Sequence, residues 1–152
     1  MKISVRAATL KDLDELVRIE QAAFDPQKYP VTSRRQFYYL LTKGVGEIWT
    51  SIDARGRITG HIVLFFSKRW RVGRLYSIAV DPEFQGGNIG KALFAAAEKR
   101  CIEKGLEGIL LEIRSDNGQH KNRYIQAGYK VLSLLPEYYP DGSSGLKMGK
   151  GL

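Results

Sequence analysis

Only one cysteine occurs in this chain, with two histidines, two methionines and two tryptophans among 152 residues. The lone Cys101 excludes an internal disulfide framework. No cluster of His, Cys and Asp has the spacing of a metal site, so no metal is expected. No apolar run approaches the roughly 18 residues that a membrane span needs. No secretory signal precedes Met1-Lys2-Ile3-Ser4, so a soluble, cytoplasmic protein is expected. Repeats, low-complexity tracts and linkers are also missing, and acidic residues are outnumbered, 16 against 24 Lys and Arg.

What is there suits a packed globule. Hydrophobic residues make up 43% and aromatics 11%, and a chain of this length buries about 68–70% of its unfolded surface. One domain over residues 1–152 is expected. Cys101 shares a helical spacing with Phe94 and Ala97 and reads as a small buried hydrophobe rather than a nucleophile. The net charge is +8, with a basic cluster over residues 68–74. It reads as a solvated hairpin tip, a field that attracts an anionic cofactor, or a nucleic-acid patch with Trp70 for stacking, the last being the least favoured.

The periodicities predict strands over 3–8, 47–53, 58–67, 73–80, 109–114, 129–135 and 146–148. Helices are predicted from a capping box at residues 9–12, with Leu10, Leu13, Leu16, Val17 and Ala23 inward, and over 32–42, with Phe37, Leu40 and Leu41 inward and Gly44 closing it. Two more are predicted over 89–104 and from an Asn117 cap to Ala127. The order βααβββαβαββ implies a mixed α/β sheet with a parallel crossover from the strand at 74–80 to that at 109–114. His61 reads as half-buried strand packing, and His120 as a surface residue near a helix start.

The most informative segment joins the strand ending in Val80-Asp81-Pro82 to an alanine-rich helix through Gln85-Gly86-Gly87-Asn88-Ile89-Gly90. Such a turn leaves backbone N–H groups unpaired at the positive end of a helix dipole, which suits a phosphate. A nucleotide-triphosphate loop is excluded because Gln85 stands where its first glycine belongs and Ala92 where its metal-binding hydroxyl belongs. The dinucleotide fingerprint does not fit the spacing of Gly86, Gly87 and Gly90. The pattern Gln/Arg-x-x-Gly-x-Gly/Ala fits except at Asn88, and the segment resembles the coenzyme A pyrophosphate loop of the GNAT superfamily of N-acetyltransferases. Asparagine tolerates left-handed φ, so the turn is expected to survive that substitution.

A second segment, from Leu111 to Tyr129, resembles the same family's Leu-Glu-Val-Arg…Asn-x-x-Ala-x-x-x-Tyr-x-x-x-Gly-Phe run, with Glu112, Asn117, Tyr124, Gly128 and Tyr129 on pattern. His120 and Arg123 depart from it. Asn117 and Tyr124, seven residues apart, share one helix face. With residues 5–24 and Tyr138-Tyr139-Pro140, the chain resembles the ribosomal-protein alanine N-acetyltransferase subgroup. The resemblance implies a GNAT-like sheet with its cofactor cleft between two parallel central strands, and acetyl-CoA as cosubstrate.

It also implies site residues. Ile78, Ala79 and Val80 would meet the pantetheine arm and acetyl carbonyl, and Gln85, Gly86, Gly87, Asn88, Ile89, Gly90 and Lys91 the pyrophosphate. Asn117 and Tyr124 would line the cofactor groove. Acetyl transfer to an amine needs a neutral amine, a polarised carbonyl and a stabilised thiolate. Glu112 is the candidate base, directly or through water, unless it is only an ion-pair partner of Arg114 or a neighbour. Tyr124 is the candidate acid or hydrogen-bond donor to the leaving sulfur, packing being its alternative role. Tyr29 at one end of the cleft, and Tyr138 and Tyr139 at the other, are expected either to clamp a peptide or to pack their loops.

No cysteine is required, so direct transfer in a ternary complex to a protein or peptide N-terminal amine is expected. The alternatives are a small-molecule amine or lysine acceptor, and, from Asn88 and His120, a non-catalytic acyl-CoA sensor. Nothing in the sequence addresses the oligomeric state.

Overall fold

The computed structural model describes residues 3–152; the expected domain's residues 1 and 2 lie outside the described residues. Seven strands form one sheet: β1 (Ser4–Ala7), β2 (Glu47–Ile52), β3 (Ile58–Ser67), β4 (Val72–Val80), β5 (Gly108–Arg114), β6 (Lys130–Leu135) and β7 (Gly145–Gly151). Their order is β1-β2-β3-β4-β5-β7-β6. Every neighbouring pair is antiparallel except β4 and β5. Helices α1 (Leu13–Ala23) and α2 (Arg34–Lys43) cover one face; α3 (Ile89–Glu103) and α4 (Gly118–Gln126) cover the other. The element order matches the sequence reading. Among the described residues no helix is long and apolar enough to cross a membrane.

Several boundaries move for identifiable reasons. Residues Leu10–Asp12 form a separate 3₁₀ turn, because Asp12 accepts the Thr9 N–H at 2.8 Å and also binds Arg6. A 3₁₀ turn steps out of phase with the α-helix that follows. Leu10 is therefore 48% exposed rather than inward, and the buried face of α1 is Leu16, Ile19 and Glu20. Helix α2 starts at Arg34 rather than 32, because Ser33 and Gln36 close a capping box and Gly44 ends the helix at φ +66°. Strand β7 runs four residues longer than its glycine-rich sequence suggests, since β5 and β6 pair with it on both sides. Cys101 is fully buried on α3, and burial pushes its thiol up to about 11, so it is an inert core residue.

His61 departs most from expectation. It is fully buried, not half-buried, and its Nε2 lies 2.9 Å from the equally buried Glu20 carboxylate. Glu20 also accepts the Thr32 N–H at 2.9 Å and the Ser77 hydroxyl at 3.3 Å. This carboxylate ties α1 to the start of α2 and to the middle of β4. Glu20→Ala strands all three partners, and losing one side of a buried polar pair costs about 3–5 kcal/mol. The expected outcome in thermal unfolding is a Tm lower by roughly 10 °C.

Candidate active site

The cleft originates in a bulge. Val63 faces Ser77 and Leu64 faces Leu75, so Tyr76 is an extra residue in β4. Leu75 and Ala79, four apart, consequently lie on opposite faces of the sheet, Leu75 against α3 and Ala79 against Ile19 of α1. A bulge bends its strand and increases its twist. The parallel ladder between β4 and β5 accordingly covers only Val72–Leu75 and Gly108–Leu111. Beyond it β4 stays with β3 while β5, through Glu112, Ile113 and Arg114, stays with β7. The two strands splay into the expected cleft.

The free edge of β4 carries unpaired amides. Asp81 donates its N–H to Thr59 O at 2.9 Å, on the β3 side. Alternation along an antiparallel ladder puts Ala79 on that side too, and the amides of Ile78 and Val80 on the cleft side. Ala79 is thus turned away from the cleft in both backbone and side chain, contrary to its inclusion among the cofactor contacts.

After Val80 the buried Asp81 accepts the Glu83 N–H at 3.1 Å and Arg18 Nη2 at 2.9 Å, fixing the turn's entry. Gln85 folds back to donate to Val80 O at 3.3 Å. Gly86 lies at φ +90°, the left-handed region that favours glycine. Asn88 lies at φ −92°, so its tolerance of left-handed φ is not used and its presence strains nothing. Among the described residues, the backbone N–H groups of Gly86 through Lys91 have no hydrogen-bond acceptor. A Cβ built on Gly90 meets nothing within 4 Å. Unpaired donors at the start of a 15-residue helix, with free space beside Gly90, suit a pyrophosphate. Ile89 contributes backbone only, its side chain being core, whereas the Lys91 side chain is exposed.

Glu112 stands on the opposite wall, its side chain 15% exposed and 2.8 Å from Arg74 Nη2. The Tyr138 hydroxyl lies 3.5 Å from Glu112 and 3.2 Å from Arg74. Burial is the strongest single influence on the Arg74 guanidinium and pulls it down, but the charge and hydrogen bond of Glu112, with Tyr138 and Tyr76, together outweigh it and the net direction is up. Of the ion-pair partners considered for Glu112, Arg114 or a neighbour, Arg114 is engaged elsewhere. It binds Asp141 at 2.8 Å, Asp116 at 3.1 Å, Ser143 Oγ at 2.7 Å and Lys28 O at 2.9 Å, and holds both carboxyls below their usual range.

The Arg114 guanidinium also covers the rings of Tyr29 and Tyr139, which meet edge-on at 5.6 Å. Tyr29, Tyr138 and Tyr139 are therefore one cluster, not two ends of a cleft: Arg114 draws the loops before α2 and before β7 together over the end of β5.

Asn117 caps α4, accepting the His120 N–H at 3.1 Å, while its Nδ2 lies 3.1 Å from His120 Nδ1. Tyr124 packs against Phe94 at 5.1 Å and Tyr129 at 5.9 Å. Burial raises the Tyr124 phenol above its ordinary value and lowers His120. The basic segment at 68–74 includes the turn between β3 and β4, where Trp70 is 69% exposed under Arg69. Sequence reasoning missed Arg74, the bulge and the Arg114 clasp. The only signal was the polar Ser77 where strict alternation with Leu75 requires an inward side chain.

The chain matches the model of the acetyltransferase (GNAT) family over residues 13–129. It is 31% identical over 147 residues to an uncharacterized N-acetyltransferase of Methanocaldococcus jannaschii, covering 96% of this chain and 90% of that one. It is 26% identical over 159 residues to an N-alpha-acetyltransferase of Sulfolobus acidocaldarius, covering 97% and 92%. Its fold superposes on the crystal structure of the ribosomal-protein-S18-alanine N-acetyltransferase from Escherichia coli with TM-score 0.86 at 21% identity, over 99% of this chain and 94% of that one. A splayed parallel pair, a free amide edge and an anion-binding turn accompany these matches, and the chain belongs to the GNAT family of acetyltransferases.

Proposed function

We propose that this acetyltransferase acetylates an N-terminal α-amine of a protein or peptide by direct transfer from acetyl-CoA. Acetyl-CoA is the family's cosubstrate, and when bound it supplies the acetyl group as a thioester. The amides of residues 86–91 hold its pyrophosphate, and those of Ile78 and Val80 hold the arm and the carbonyl. Glu112 takes the proton of the attacking amine, oriented by Arg74 and Tyr138. Tyr124 donates a hydrogen bond to the departing sulfur. The observation that carries the acceptor is the similarity to an N-alpha-acetyltransferase over nearly the whole chain. Chemistry supports it: deprotonating lysine at pH 7 costs about 3 kcal/mol more than deprotonating an α-amine, and Glu112 is a single carboxylate.

The test is a mass-spectrometric comparison of peptides with free N-termini, N-terminally blocked peptides with internal lysines, and spermidine. Free N-termini are expected to have the highest kcat/KM; equal or higher values for lysines or spermidine would falsify the acceptor and leave the family intact. Cofactor placement has its own test. Gly90→Val meets nothing in the protein, so Tm should hold while acetyl-CoA affinity falls at least about tenfold through conflict with the pyrophosphate. Unchanged affinity in calorimetry would remove the pyrophosphate from this turn.

A further inference from the structure

On the α1–α2 face lies a groove of about 720 Å³ whose lining, Arg74 apart, takes no part in the steps above. Its size is in the range of small-molecule and side-chain sites. Tyr38, Tyr39, Phe65 and Tyr76 form much of its lining. Tyr38 and Tyr39 are half exposed although they are large, while Phe65 and Tyr76 meet edge-on at 5.4 Å as a fixed inner wall. Tyr76 is the bulge residue of β4, so the irregularity that opens the cofactor cleft also supplies a wall here.

Two further features set the chemistry of the lining. Thr32, in the wall, is 3% exposed and its hydroxyl has no hydrogen-bond partner, although its N–H is held by Glu20. The charges lining the groove are Arg35 and Arg74, with no carboxylate among the lining residues. Arg74 is also the residue 2.8 Å from Glu112, so the groove runs up to the candidate base. An acceptor whose amine reaches Glu112 has this groove beside it, across Arg74, for the substituent on its amine-bearing carbon.

We infer that this groove is a specificity subsite for a large apolar or aromatic side chain on the amine-bearing residue of the acceptor, and that it disfavours a second positive charge. The inference rests on the acetyltransferase reading, and it names the acceptor's side chain rather than its amine. Burying a leucine or phenylalanine side chain rather than alanine is worth about tenfold or more in specificity. Repulsion from Arg35, whose charge is not paired among the described residues, works against lysine at the same position, the Arg74 charge being offset by Glu112.

The experiment measures kcat/KM on peptides identical except for a first residue of Ala, Leu, Phe or Lys, together with 2-phenylethylamine and propylamine. Leu and Phe are expected to exceed Ala by about tenfold or more, with Lys lowest. Tyr39→Ser alters a half-exposed wall residue of the groove and should lower kcat/KM for the Leu and Phe peptides more than for the Ala peptide, removing most of that advantage. An Ala peptide equal to or better than Leu and Phe overturns the subsite, as does an undiminished preference in Tyr39→Ser. Preference for 2-phenylethylamine over propylamine without turnover of any peptide upholds the subsite and overturns the N-terminal acceptor.

Discussion

Glu112→Gln is expected to lower kcat/KM for an N-terminal peptide by about 10²–10⁴-fold, the usual contribution of a positioned general base. Glutamine keeps the volume and can still accept from Arg74, which lies 2.8 Å from the carboxylate, but it cannot take a proton at neutral pH. The cost to the fold is small. Arg74 has a side chain 43% exposed, so water replaces the lost charge, and a partly exposed pair of this kind contributes about 1 kcal/mol or less. Acetyl-CoA affinity should hold, because the unpaired amides of residues 86–91, proposed to hold the pyrophosphate, and the β4 edge lie on other elements. Steady-state kinetics beside calorimetric cofactor titration separates the effects. A loss below about tenfold would leave Glu112 as nothing more than the counter-ion of Arg74.

How much of this was visible in the chain divides along the range of the interactions. The phosphate turn, the Asn117 cap and the Ser33–Gln36 box are local, each set by residues within a few positions of one another. Local chemistry is written in local sequence: the glycine-rich turn and the Asn117 cap lie where the sequence reading put them, and the Ser33–Gln36 box was open to the same reading although the helix was expected to start at 32. The groups that shape the acceptor side are joined over long separations. Arg74 meets Glu112 across 38 residues, Glu20 meets His61 across 41, and Arg114 reaches Lys28 O across 86. No spacing rule connects such pairs, which is why the ion-pair alternative for Glu112 named Arg114 or an unspecified neighbour rather than Arg74, and why Tyr29 was placed apart from Tyr139.

The bulge falls between these cases. Tyr76 and Ser77 break the alternation of β4 locally, but only the register with β3 turns that break into a splayed strand. Glu20 was hidden for another reason. A glutamate on an amphipathic helix reads as solvent-facing, but Glu20 comes four residues after Leu16 and so shares its inward face, where His61, Thr32 and Ser77 satisfy it.

Tyr124→Phe is the second large effect, with kcat expected to fall by about 10²-fold or more and stability unchanged. The ring remains against Phe94 and Tyr129, and among the described residues the hydroxyl has no hydrogen-bond partner to lose. The direction of its titration decides the role. Reference values of about 10 for tyrosine and 8.5 for a thiol already make full proton transfer uphill by about 2 kcal/mol. Burial raises the Tyr124 phenol further, so the hydroxyl stays protonated throughout the working range and the transfer becomes still less favourable. In the proposed mechanism Tyr124 is therefore expected to act as a hydrogen-bond donor to developing negative charge on sulfur, a contribution made chiefly in the transition state. Such a loss should appear in kcat, with KM for the amine little changed, and the wild-type profile should show no fall in kcat as pH rises from 7 to 9. A variant retaining nearly full kcat would assign Tyr124 to packing, and the leaving thiolate would have to be stabilised by another group.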